Sequence, residues 1–306
     1  MTMIVHKHFP PYVYRLRAWL CLLTLCLASQ ANATISVRDD AGNTITLEKP
    51  AQRVISMAPH ITELLFAAGA TQQIVGTVSY SDYPEAAKAI PRIGDNQQLD
   101  LERIIAFKPD LLVVWLNGGS AQQLAQLKKL GVPIFYNAPH RLDDIPDSIL
   151  RLGKLLGSQR QAESSASALQ QQLAKLRQQY AMQSKVRVFY QVWDRPLYTL
   201  GGASIVSDVI RLCGGENVFA ELKLMAPSVG IEEVLQANPE AILGHAEEGV
   251  DERGIALWRR FPMLSAVKNG NLFALDGDLL NRAGPRMIAG TAMLCAKLAL
   301  ARQHRK

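Results

Sequence analysis

The residues of this chain that could do covalent chemistry are few and scattered. His60, His140 and His245 stand far apart, and no GxSxG, HExxH or GxxxxGK[ST] pattern occurs, so hydrolytic and phosphoryl-transfer sites lack their parts. Bare zinc or manganese capture would need several histidines and carboxylates converging, and the sequence shows no such grouping. The glycines of GGAS and AGP read as turn residues rather than as a phosphate cradle. The sequence therefore points to binding rather than to catalysis. Two pairs of residues remain that invite a chemical reading: Cys213 with Cys295, and Glu102 with Glu232.

The glutamates belong to a segment that occurs twice. LERIIAFKPDLL begins at Leu101 and IEEVLQANPEAI at Ile231; each Glu follows an aliphatic residue and stands seven places before a proline. Each copy predicts a short helix running into a buried strand. Leu101, Ile104 and Ile105, like Ile231, Val234 and Leu235, fall at the spacing of one inward helix face, and Pro109 and Pro239 stop the helix. The copies lie too far apart for a solenoid repeat and predict two α/β halves of one chain. An acid in a helix's first turn is also favoured simply by the helix dipole, by roughly 0.3–1 kcal/mol. Glu233 neighbours Glu232, but the spacing to the proline selects Glu232.

The first 33 residues predict a cleavable export signal. His6, Lys7, Arg15 and Arg17 precede the apolar run AWLCLLTLCLA, and Ala31, Asn32 and Ala33 give the small-x-small cleavage pattern. The apolar run is too short to span a bilayer, and Leu25 before Cys26 argues against a lipid attachment site. An oxidising compartment, the periplasm, is the expected destination. There the remaining pair, Cys213 and Cys295, is expected to form a disulfide, the alternative being two buried free thiols. Removing the leader lowers the formal charge from +6 to about +3, too little to argue for a nucleic-acid partner.

The elements that would position these residues alternate in type. RVISMAP, QIVGTVSY, KPDLLVVW and PIFYNAP read as strands, and HITELLFAAG as a helix ended at Gly69. After Gly157 no Gly or Pro interrupts the chain until past Tyr180, and the stretch from Ile145 to Tyr180 predicts one long helix midway between the two repeat copies. VRVFYQVW, AILG and NLFALDGD read as strands of a second half, with helices at SIVSDVIRLCGG, WRRFPMLSAVKNG and PRMIAGTAMLCAKLALARQ. The expected fold is α/β: two Rossmann-like lobes, residues 34–150 and 185–306, joined by a backbone helix over 151–184, with ligands of such sheets beyond the strand C-terminal ends.

RVISMAPHITELLFAAG, VSYSDYP, LERI leading to KPDLLVVW, CGGENVF and DLLNRAGPRMI, taken in that order, resemble the helical-backbone class of periplasmic substrate-binding proteins. That class serves importers of cobalamin, haem and ferric siderophores, and among its members the chain is most similar to those that bind cobalamin. The resemblance implies capture of cobalamin or a related corrinoid in the cleft between the lobes, with haem or a ferric siderophore as the alternative. No cofactor and no enzyme activity are expected. It further implies a monomer that delivers its ligand to the permease and ATPase of an ABC importer at the inner membrane, with Glu102 and Glu232 pairing with permease arginines.

The ligand positions carried over by the resemblance are Tyr80 in SYSDYP, Trp115 ending KPDLLVVW, Tyr198 in RPLYT, and Asp278 and Arg282 in the last cleft loop. Aromatic faces suit a large planar macrocycle, and a few polar groups orient it. Tyr83 and Trp193 read instead as lobe core, and Arg282 with Asp278 also fits a plain surface ion pair. His60, just past the first strand's proline turn, is a candidate to approach a metal axially, the favoured alternative being a solvent-exposed or N-capping-region histidine with no metal role. Two positions depart from the cobalamin-binding pattern, which has tryptophan where this chain has Asn96 and, approximately, Ala226. A smaller corrinoid such as a cobinamide would be compatible with that change.

Overall fold

The computed structural model describes residues 34–305 apart from 96, 119–120 and 247–252; the expected export signal and Asn96 lie outside the described residues. The strands, in chain order, are β1 (Ile35–Arg38), β2 (Thr44–Leu47), β3 (Val54–Ser56), β4 (Ile74–Thr77), β5 (Leu111–Trp115), β6 (Ile134–Asn137), β7 (Val186–Gln191), β8 (Trp193–Asp194), β9 (Leu197–Tyr198), β10 (Gly215–Asn217), β11 (Ala241–Ala246) and β12 (Leu272–Asp276). Two four-stranded parallel sheets carry the fold, ordered β4-β3-β5-β6 and β10-β7-β11-β12. In both, the second strand in sequence flanks the first and the third and fourth follow on the other side, so the two lobes repeat one topology.

Side chains alternate across each strand, and this sorts the core into layers. From the first sheet Val54, Leu111, Val113 and Phe135 face one way, and Ile55, Leu112, Val114 and Tyr136 the other. From the second, Val188, Tyr190, Ala241 and Leu243 oppose Phe189 and Ile242. The inward sets of both sheets enter a single continuous core with Leu64 of helix Pro59–Ala67, Leu152 of helix Asp144–Leu156, Leu173 of helix Gln159–Tyr180, Val209 of helix Ile205–Leu212 and Leu294 of helix Met287–Gln303. A packed helical layer thus joins the lobes.

That layer differs from the expected single helix. The segment is two helices, Asp144–Leu156 and Gln159–Tyr180, hinged at Gly157, whose φ of +72° is the left-handed turn that ends a helix without steric cost to glycine. Between the lobes runs the 22-residue helix Gln159–Tyr180. None of the described helices is long and apolar enough to cross a membrane. Cys213, at the end of Ile205–Leu212, is bonded to Cys295 on the last helix, with Cα atoms 4.7 Å apart.

The duplicated segments form Leu101–Ala106 before β5 and Ile231–Ala237 before β11. Ile104 and Val234 are fully buried, but Ile105 is 55 % and Ile231 38 % exposed, contrary to the expected inward face. Helices of six and seven residues have under two turns, so one residue each is fully buried while Leu101 and Leu235 pack half-buried beside it. Both copies leave the helix through a left-handed residue, Lys108 and Asn238 (φ +45° and +42°), directly before the proline, which disfavours a helical residue in front of it. Just beyond, Asp110 accepts the Arg53 N–H at 2.9 Å and Glu240 the Arg187 N–H at 2.9 Å, clamping the start of each lobe's first strand in the same way.

Candidate functional site

The C-terminal ends of the parallel strands face each other across the gap between lobes, where ligands of such sheets bind. β3 ends at Ser56, and the chain turns through Ala58 into a helix with Pro59 at its first position. Pro59 needs no N–H there, and the turn directs His60 toward the gap. Trp115 is the last residue of β5 and 37 % exposed; its ring meets His60 edge-to-face, with centroids 5.4 Å apart and an interplanar angle of 87°. Gly118 is required beneath it, since a Cβ at that position would run into the indole. Tyr80 holds a left-handed backbone (φ +65°), unusual for an aromatic residue, and is 72 % exposed.

Two cavities meet at Trp115. One of about 240 Å³ lies in the first lobe, lined by Pro59, Tyr80, Leu99 and Leu127 among others. The second, about 280 Å³, is lined from both lobes: His60, Asn117 and Pro139 on one side, Leu200, Met225, Ala226 and Asn281 on the other. The structure thus brings together Tyr80, Trp115 and His60. Tyr198 stands outside both linings, 36 % exposed on the short β8–β9 ribbon and bridged to Ser228. Asp278 and Arg282 also stand outside them, joined to each other at 3.0 Å. Tyr83 and Trp193, expected as core, are 47 % and 57 % exposed. Both stand on connections outside the two main sheets.

Charge in this gap is tightly managed. Burial, with a smaller push from the nearby Arg282 guanidinium, lowers the pKa of His60 from 6.5 to about 4, so its ring is neutral near pH 7. Its Nε2 is buried and makes no hydrogen bond to any described residue. Glu63, one helical turn further on, is 3 % exposed and takes both arms of the Arg286 guanidinium at 2.7 and 3.1 Å. Burial raises the Glu63 carboxyl pKa, opposed by that hydrogen-bonded partner. No group of three or more His, Cys, Asp or Glu among the described residues is placed to hold a bare metal ion. The gap can grip a bulky, largely apolar molecule by stacking and by a few polar edges.

The Glu63–Arg286 contact went unforeseen in the sequence, although a lone acid inside the apolar run HITELLFAAG is a signal: a carboxylate there needs a partner. The outer acids are less hidden. Glu102 and Glu232 are both exposed in the first turns of their helices. Glu233 folds back to accept the Gly230 N–H at 2.5 Å, taking the capping task beside Glu232. In the first copy Asp100 does this work, accepting the Arg103 N–H at 2.9 Å.

Residues 54–279 match the family described as periplasmic binding protein. A vitamin B12-binding protein of Vibrio cholerae is 37 % identical over 259 residues, 83 % of this chain and 92 % of that protein. One from Yersinia pestis is 36 % identical over 249 residues, 81 % and 87 % of the two chains. The crystal structure of the periplasmic vitamin B12-binding protein of Vibrio cholerae superimposes with a TM-score of 0.77 over 83 % of this chain and 98 % of that one. A periplasmic haem-binding protein from Roseiflexus sp. RS-1, 25 % identical, covers 83 % of this chain and all of its own, with a TM-score of 0.71.

Proposed function

The chain belongs to the periplasmic binding protein family, and on that premise we propose that it captures cobalamin or a related corrinoid in the gap between its lobes and delivers it to the permease of an ABC importer. The observation that carries this reading is Trp115: one indole forms a wall of both cavities, beside the exposed ring of Tyr80, giving aromatic faces on which a planar macrocycle can stack. Cobalamin-binding relatives covering most of the chain support the same ligand class. Ala226, where the cobalamin-binding pattern has a bulkier ring, lines the two-lobed cavity and leaves room compatible with cobinamide. Tyr198, Asp278 and Arg282 complete the proposed ligand set at the rim.

Delivery is assigned to Glu102 and Glu232. Equivalent acids on two lobes of like topology suit a partner with two-fold symmetry, and rim charges of this kind set orientation and association rate. The protein works as an exported monomer, with lobes over 34–150 and 185–306 and the helix Gln159–Tyr180 within the segment 151–184 that links them. Haem is the second reading, favoured by the unbonded Nε2 of a neutral His60 on the cavity wall. Calorimetric titration of the mature protein with cyanocobalamin, cobinamide and haemin tests both: binding of a corrinoid and not of haemin is expected. Tight binding of haemin alone would replace the corrinoid reading.

A further inference from the structure

Among the described residues, one ion pair joins the two lobes directly, Glu63 with Arg286. Glu63 stands one turn after His60 on the first lobe's helix, and Arg286 three residues after Ala283, at the start of the second lobe's last helix. His60 and Ala283 both line the cavity between the lobes, so the pair lies just beyond its wall. The contact is directional: Nε and Nη2 reach the two carboxylate oxygens at 3.1 and 2.7 Å. The same guanidinium lies 4.2 Å over the ring of Tyr83, in the loop that carries Tyr80. One side chain of the second lobe therefore holds both a helix and a cleft loop of the first.

The apolar helical layer behind the gap cannot do this alone. Apolar burial is non-directional and tolerates small sliding of packed helices, whereas a forked guanidinium–carboxylate pair fixes one registry. The Glu63 side chain is 2 % exposed, so sliding would strand a carboxylate with no water to replace its partner. We propose that Glu63, Arg286 and Tyr83 form a strap that sets the width of the cleft before ligand arrives, making Glu63 and Arg286 positioning residues for binding. Ligand then enters a gap already held near its final width and leaves slowly, since the held lobes keep their contacts with it.

The test separates geometry from ligand identity. Spin labels carried on keto-bearing residues at exposed Lys128 and Met263 report the distance between lobes in the ligand-free protein and leave the disulfide intact. Arg286→Lys keeps the charge but loses the fork and the flat face, Glu63→Gln keeps the shape but loses the charge, and Tyr83→Leu removes only the stacking ring. Broader distance distributions are expected in the first two variants, with a smaller effect in the third. The kinetic arm rests on the corrinoid reading: the cyanocobalamin off-rate rises about tenfold while the on-rate changes little. Distributions as narrow as wild type in both Arg286→Lys and Glu63→Gln, with or without a lowered melting temperature, overturn the strap. Because the distances are read without ligand, a failure of corrinoid binding leaves that result standing.

Discussion

Acidification should weaken this fold through His60. The imidazole is buried and beside Arg282, and its pKa falls from 6.5 in the unfolded chain to about 4 in the folded one. The unfolded state therefore binds more protons between those values, and stability rises with pH across the window. The contribution is complete above pH 6.5 and is lost progressively as pH falls toward 4. A gap of this size corresponds to about 3 kcal/mol in full, of which about 2 kcal/mol is already lost at pH 5, at roughly 1.4 kcal/mol per pKa unit. Carboxylates titrate in the same range, so the measurement must be differential. Urea unfolding at pH 7 and pH 5, followed by circular dichroism, is compared between wild type and His60→Gln, which has no proton to gain. The wild type should lose about 2 kcal/mol more than the variant on going to pH 5. Equal losses would refute the reasoning, because they would mean that the folded site accepts the imidazolium as readily as water does.

Trp115→Ala should weaken corrinoid binding by about 1–3 kcal/mol in calorimetric titration, through loss of the stacking face; unchanged affinity would remove Trp115 from the site. The double substitution Glu102→Ala, Glu232→Ala should abolish transport in cells while leaving ligand affinity intact, and a fall in affinity would contradict a docking role. Replacing Cys213 and Cys295 together by alanine opens a loop of 82 residues and should cost at most roughly 4.5 kcal/mol in chemical denaturation, since the chain-entropy estimate ignores native strain.

Much of the fold was legible because local rules and tertiary demands agree. β3, β5, β7 and β11 are short apolar runs that parallel sheets bury on both faces, and Gly69, Pro109 and Pro239 punctuate them as expected. Elements with weaker local signals were missed. The hairpin Ile35–Leu47 alternates over only four residues per strand, and the helix Ala121–Lys128 is only eight residues long. The Gly157 break was misread because helix-favouring residues surround a glycine that only the crossing of two packed helices makes into a stop. Ile105 was assigned inward from spacing alone, which cannot know that its helix ends after six residues.

By itself the sequence determined the duplication, the disulfide partners and the strand–helix alternation, because each depends on residue identity and short-range geometry: a proline's missing N–H, a glycine's freedom, the period of an apolar face. Only the tertiary structure decided that both lobes share one helical core, that the His60 ring sits against Trp115, and that Glu63 finds Arg286. Those two acid and base positions lie 223 residues apart. Nothing local couples them. Their pairing follows from the exclusion of water where two lobes close on one another, which makes an unpartnered charge too costly and leaves one arrangement that satisfies both.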